Sequence, residues 1–192
     1  YIEDLDSRSK ILIYSYAPHS DISALRHALS GNLNYAVEVR HADQLKDVKI
    51  NTIDLVIWHD AGNGFQQTLL DAFELKNIPI WYILGTQTEA QIAAKLKTGL
   101  QLDLRQQLEE VQAQPNNGFV LYQPNSEWLT LTETLPPLTK KFGEVKANTG
   151  TKVLFTQRIG NIQKGTPLMV FKDGNSKRSA CLLGEGLWRW RM

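Results

Sequence analysis

The chain has 192 residues, 42% hydrophobic and 21% charged, which supplies one domain with a real core and argues against disorder. A net charge of +1, with no basic block longer than Lys140-Lys141, leaves too weak an electrostatic footprint for a nucleic-acid partner. The single cysteine, Cys181, excludes an internal disulfide framework and a cysteine-based zinc site, and no apolar run reaches the length that spans a bilayer.

The stretch from Tyr1 to Lys10 is polar and reads as a lead-in. Lys10-Ile-Leu-Ile-Tyr-Ser-Tyr16 is a continuous apolar run, as expected for a strand covered on both faces. Ala17-Pro18-His19-Ser20 is a turn; Ser20 or Asp21 caps a helix carrying Ile22, Leu25 and Leu29, which Gly31 ends. Tyr35 to Arg40 alternates and makes a second strand, nearer an edge. Ile53 to Trp58 is the third strand, His59-Asp-Ala-Gly-Asn-Gly64 its loop, and Phe65, Leu69, Ala72 and Phe73 line the next helix. Ile78-Pro-Ile-Trp-Tyr-Ile-Leu-Gly85 is a buried strand ending in a tight turn, followed by a helix with Ile92 and Leu96. Trp58 and Trp81, inside apolar strands, are expected in the core.

This rhythm predicts a doubly wound parallel sheet, whose ligands bind at the carboxyl ends of the strands. Pro18-His19, His59-Asp60 and Thr86-Gln87 gather at that edge. After Gly99 the rhythm changes. Leu108–Val111 and Phe119–Tyr122 flank Pro115-Asn-Asn-Gly118 as an expected hairpin. Ser126 caps a helix with Trp128, Leu131 and Leu135, stopped by Pro136-Pro137. A strand surrounds Val153-Leu-Phe155. Pro167–Phe171 and Ser179–Leu183 flank Lys172-Asp-Gly-Asn175 as an antiparallel hairpin running into Gly184-Glu-Gly186. With no repeat and no linker, residues 1–192 read as a single domain.

Parallel α/β units, a strand-turn-helix at the position of a nucleophile, and a late hairpin running into a last loop resemble the class I glutamine amidotransferase fold. Val153-Leu-Phe-Thr-Gln-Arg-Ile-Gly160, Thr166-Pro-Leu168 and Gly184-Glu-Gly-Leu-Trp-Arg-Trp-Arg191 are similar to the amidotransferase-like domains embedded in large bacterial membrane proteins. The resemblance implies a flavodoxin-like three-layer α/β sandwich, with a mostly parallel sheet and a late antiparallel hairpin. Active members carry Cys in a Gly-x-Cys-x-Gly elbow and a His after the late hairpin, the pair that releases ammonia from glutamine through a thioester. Here the elbow is Leu84-Gly85-Thr86-Gln87-Thr88 and the late loop is Gly184-Glu185-Gly186, so both groups are missing.

Thr86 and Gln87 are candidate ligand contacts, but Thr86-x-x-Glu89 and Thr88-x-x-Gln91 also fit capping boxes, and capping is the expected role. A phosphoacceptor site is excluded, because Ser15-Tyr-Ala-Pro18 after the first strand offers no magnesium-holding acids; that loop also lacks glycines to approach a nucleotide phosphate. His19, His59 and Asp60 lie in separate loops, and sequence spacing alone does not join them. His27 and His41 read as surface or helix-face residues and Cys181 as a buried, inert thiol. Trp188 and Trp190 alternate with arginines, one face packing on the domain and anchoring the terminal segment.

The expectation is a non-catalytic interaction or ligand-sensing domain. His19, His59, Asp60, Thr86, Gln87 and Glu185 are the candidate ligand contacts, with no metal and no cofactor. A hydrolase with relocated chemistry at His59 and Asp60 is one alternative, and a small-molecule binding module in the same crevice is the other. The chain opens on Tyr1 and ends without a polar tail, so it reads as a soluble piece excised from a longer protein. The resemblance implies a membrane-anchored parent, with this domain on the periplasmic side, tethered through flanking segments and partnered by other domains of the same polypeptide.

Overall fold

A computed structural model of the chain describes residues 7–42, 44, 48–60, 65–123, 125–174 and 178–190. Part of the polar lead-in, the glycine-rich stretch 61–64, the hairpin tip at Asn175 and Arg191 lie outside the described residues. The chain runs β1 (Ser9–Ser15), α1 (Ser20–Ser30), β2 (Tyr35–His41), β3 (Leu55–His59), α2 (Gln67–Leu75), β4 (Ile80–Leu84) and a single-turn α3 (Ala90–Ala93). It continues with β5 (Leu100–Pro115), α4 (Ser126–Thr134), β6 (Leu138–Ala147), β7 (Thr151–Ile159), β8 (Ile162–Lys172), β9 (Ser179–Leu183) and a 3-10 turn at Leu187–Trp190.

One nine-stranded sheet has the order β2-β1-β3-β4-β9-β8-β7-β5-β6. Its first five strands pair in parallel. From β9 outwards every pairing is antiparallel. The expected α/β fold and late hairpin are present, but the sheet is half antiparallel rather than mostly parallel. Strand β9 joins the halves, pairing parallel with β4 and antiparallel with β8.

The two halves differ in burial, and the sequence shows why. Ile11–Ser15, Val56–His59, Tyr82–Leu84 and Ala180–Leu183 are buried without alternation, so both faces of the parallel half are covered. Trp58 sits at its centre, edge-on to Tyr14 and Phe73. Trp81 is only half-buried, because its strand lies where the sheet face opens towards Met169 and Phe171. In α2 the buried residues are Leu70 and Phe73; Phe65 precedes the helix and packs on Trp58.

The expected hairpin around Pro115-Asn-Asn-Gly118 does not form. Leu108–Val111 belongs to the long β5, whose partners are β6 and β7, and residues 119–122 form no strand. Asn116 redirects the chain instead: its Oδ1 accepts from the Gly118 amide and its Nδ2 donates to the Val153 carbonyl. The sequence reading assigned no strand at β6, because its inward positions include lysines. Lys140 is 2% exposed, with its Nζ donating to Glu109 Oε1 at 2.7 Å and to the Lys141 carbonyl at 2.8 Å. A buried cation satisfied in this way breaks the apolar alternation by which a strand is recognised.

Where β5 and β6 slip register between Leu104 and Leu108, Gly143 sits at φ 156° with its Cα against the opposite backbone. A Cβ there would lie 2.1 Å from the Asp103 carbonyl oxygen. Gly143→Ala is therefore expected to lower the unfolding free energy by at least about 2 kcal/mol, since neither backbone can retreat without breaking the ladder. Urea denaturation measures the loss, and amide exchange should accelerate in β5 and β6 before the parallel half.

Candidate functional site

The register of the parallel strands levels their carboxyl ends. Ser15 pairs with His59, His59 with Ile83, and Leu84 with Leu183. The residues at and after the end of each strand therefore emerge at one rim: His19 and Asp21 after β1, His59 at the end of β3 and Asp60 after it, Thr86 and Thr88 after β4, and Glu185 after β9. Of the six residues expected there, five converge; Gln87 is exposed and makes none of the contacts described below.

The cap of α1 is His19, rather than Ser20 or Asp21. Its Nδ1 accepts from the Asp21 amide at 3.1 Å, which leaves the Nε2–H facing Glu185 Oε1 at 3.8 Å. Asp21 is thereby released from capping and turns inward, fully buried. Its Oδ2 accepts from the Gly186 amide at 2.8 Å and its Oδ1 from the Trp188 amide at 2.9 Å. Burial alone would raise the Asp21 pKa, but the facing His59 ring and these two amides hold it below the usual carboxylate range.

His59, 1% exposed, lies between two carboxylates. Its Nε2 is 3.5 Å from Asp21 Oδ2 and its Nδ1 is 3.8 Å from Asp60 Oδ2, and Nε2 makes no formed hydrogen bond. The His19 and His59 rings lie 4.6 Å apart at 32°. Asp60 has φ 56°, a left-handed conformation that aspartate tolerates better than most residues. The turn is fixed by the Trp58 indole donating to the Asp60 carbonyl and by the Asp60 amide donating to Ile83. Burial raises the Asp60 pKa, against the opposing hydrogen bond from the Thr88 hydroxyl at 2.7 Å.

Neither threonine caps a helix. The N-cap of α3 is Glu89, without a side-chain bond. Thr86 instead gives both its donors to Glu185: the amide to Oε2 at 2.8 Å and the hydroxyl to Oε1 at 3.0 Å. The capping expectation fails because Gly85 lets two carboxylates close over the elbow. A Cβ on Gly85 would lie 2.3 Å from Glu185 Oε2 and 2.9 Å from Asp60 Oδ1. Burial would raise Glu185, but His19 and the two Thr86 donors hold its pKa down. Glu185 in turn raises the His19 pKa, with Asp21 adding to the rise and burial opposing it. Protonating His19 at Nδ1 would cost the helix cap.

The sequence reading missed Asp21 and Thr88 as rim residues. Each looked like a cap, and only the 165-residue separation between Asp21 and Gly186 shows otherwise. Trp188 and Trp190 do not act as a pair: Trp190 donates its indole N–H to the Pro136 carbonyl and packs edge-on to Phe155, whereas Trp188 is exposed. Cys181 is buried, and burial pushes its thiol pKa up.

Asp21→Asn leaves one oxygen for two amides and sets an NH2 against one of them. The expected loss is about 2–3 kcal/mol, seen by denaturation together with faster amide exchange at Gly186 and Trp188. Asp60 obeys the opposite sign. A raised folded pKa means that ionisation disfavours the fold, so the cost is absent at low pH and grows as pH rises from about 4. Asp60→Asn keeps the acceptor for Thr88 and removes that cost; its stability relative to the parent should increase with pH, whereas Asp60→Ala should destabilise by about 1–2 kcal/mol at neutral pH.

No family model and no curated protein sequence matches the chain. Solved structures do. A β-galactosidase from Bacillus circulans sp. alkalophilus is similar at TM-score 0.56 and 8% identity, over 96% of this chain and 30% of that one. Agd3, a carbohydrate deacetylase, matches at TM-score 0.52 and 10% identity, over 92% of this chain and 29% of that one. PurLQS from Thermotoga maritima matches at TM-score 0.51 and 13% identity, over 93% of this chain and 87% of that one. The chain thus spans under a third of the first two structures and most of the third. At these identities the likeness is one of fold, and that fold is glutamine amidotransferase-like α/β.

Proposed function

We propose that this is a non-catalytic interaction or ligand-sensing domain, a degenerate amidotransferase fold carried by a membrane-anchored bacterial envelope protein and working with other domains of the same polypeptide. The observation that supports it best is the fate of Thr86. At the position of the family's nucleophile, both its amide and its hydroxyl are held by Glu185. A hydroxyl needs a base with a pKa near the working pH, and Glu185 is shifted the other way. The amide that could stabilise an oxyanion is also occupied. His59 and Asp60, the pair a relocated hydrolase would use, are buried at 1% and 8% exposure.

The placement of the fold within longer proteins fits this reading, since it forms about 30% of the β-galactosidase chain and 29% of the deacetylase chain. An apolar groove of about 520 Å3, lined by Leu55, Trp81, Leu121, Met169 and Phe171, lies on the sheet away from the rim. No helix among the described residues is long and apolar enough to cross a membrane; anchoring through flanking segments is what the resemblance implies.

The test is glutamine hydrolysis by the purified chain. Ammonia release should stay at the no-protein background, and Thr86→Val should not change it. Turnover that disappears in Thr86→Val would overturn the reading. A metabolite that raises the melting temperature of the parent but not of a Thr86→Val, His59→Ala double variant would select sensing over interaction.

A further inference from the structure

Three carboxylates and two imidazoles meet at the rim in a regular pattern. Asp21 Oδ2 stands in the middle, 3.5 Å from His59 Nε2 and 3.8 Å from His19 Nδ1. The outer nitrogen of each ring faces a carboxylate: His59 Nδ1 faces Asp60 at 3.8 Å and His19 Nε2 faces Glu185 at 3.8 Å. A neutral imidazole has one N–H, so it can serve only one of its two carboxylates. The other nitrogen then presents a lone pair to an anion, and at His59, 1% exposed, water cannot relieve it. At His59 this conflict is visible, because Nε2 is buried and unpartnered while aimed at Asp21.

We propose that His19, Asp21 and His59 form a binding site for one divalent transition-metal cation of the zinc type. Ligand atoms of the three residues lie within 4.8 Å of one another. Zinc ligands at about 2.0–2.2 Å in a tetrahedron stand about 3.3–3.5 Å apart, so the Asp21–His59 separation already fits, the His19–Asp21 edge must close by a few tenths of an ångström, and the two ring nitrogens, within 4.8 Å of each other, close by up to about 1.3 Å as the His19 ring swings in. The outer carboxylates Asp60 and Glu185 then take the role that such sites require, accepting the remaining ring N–H and fixing each imidazole with its lone pair inward. A cation also resolves the lone-pair conflict at His59 and offsets the excess of carboxylates. On binding, His19 Nδ1 exchanges the Asp21 amide for the metal. His19, the least buried of the three ligands, sits on the solvent side, where a fourth position would take a water or an anionic ligand. Metal binding at this rim requires no catalytic activity of the domain.

The experiment is titration of the chelator-treated chain with Zn2+ by calorimetry and thermal melting, with Co2+ as the optical probe. The expected result is one equivalent of Zn2+ bound at micromolar or tighter affinity, a raised melting temperature, and visible-region bands of four-coordinate Co2+. His19→Asn retains a capping side chain, and His59→Gln retains a polar one; each should weaken Zn2+ at least about tenfold. His27→Gln, on the exposed face of α1, should bind as the parent does. No melting shift and no Co2+ bands in the parent would overturn the proposal. So would parental affinity in His19→Asn, the variant that decides the matter if His59→Gln does not fold, or a loss of affinity in His27→Gln.

Discussion

The fold is closed by one carboxylate. Asp21, on the first turn of the first helix, accepts the amides of Gly186 and Trp188 and so ties the start of the chain to its last described segment. A buried anion with two amide donors is a strong, directional tie, and it holds because His19 has taken over the cap that Asp21 would otherwise supply. Around that tie the other rim residues fall into place. Glu185, one residue before Gly186, is carried over the elbow at Gly85, and Asp60 is brought beneath it to meet Thr88.

The parallel half of the sheet was legible in the sequence because its inner strands are unbroken apolar runs between turn residues, while its edge strand Tyr35–His41 alternates. Ile11–Tyr14, Val56–Trp58 and Ile80–Leu84 need no partner to be recognised. The antiparallel half was not, and the reason is local. Strand β6 buries Lys140 against Glu109, so charge and burial are decoupled there, while β5 is mostly exposed along its middle and shows little alternation. The hairpin read at Pro115-Asn-Asn-Gly118 was a turn signal correctly identified but joined to the wrong strand, since pairing partners 20 or more residues away leave no mark on the turn itself.

The candidate site was half legible. His19, His59, Asp60 and Thr86 could be placed at the rim by topology alone, and Glu185 by the late loop of the resemblance. Their roles could not. A threonine after a strand has two chemically similar uses, capping the next helix or donating across the rim, and Gly85 decides between them by leaving room for two carboxylates. Asp21 was hidden for the same reason: a cap residue and a buried acceptor look alike until the segment 165 positions later is set beside it.

The central position of β9 has a consequence for how the molecule comes to be. This strand lies between β4 and β8, and β4 has nothing on its outer side until Ser179–Leu183 arrives nearly a hundred residues later. A polypeptide emerging from the ribosome therefore holds four parallel strands with an open flank while the stretch from Gly85 to Arg178 is made. Closure waits for Ser179–Leu183, and translation speed through the stretch between β4 and β9 sets how long that flank stays uncovered.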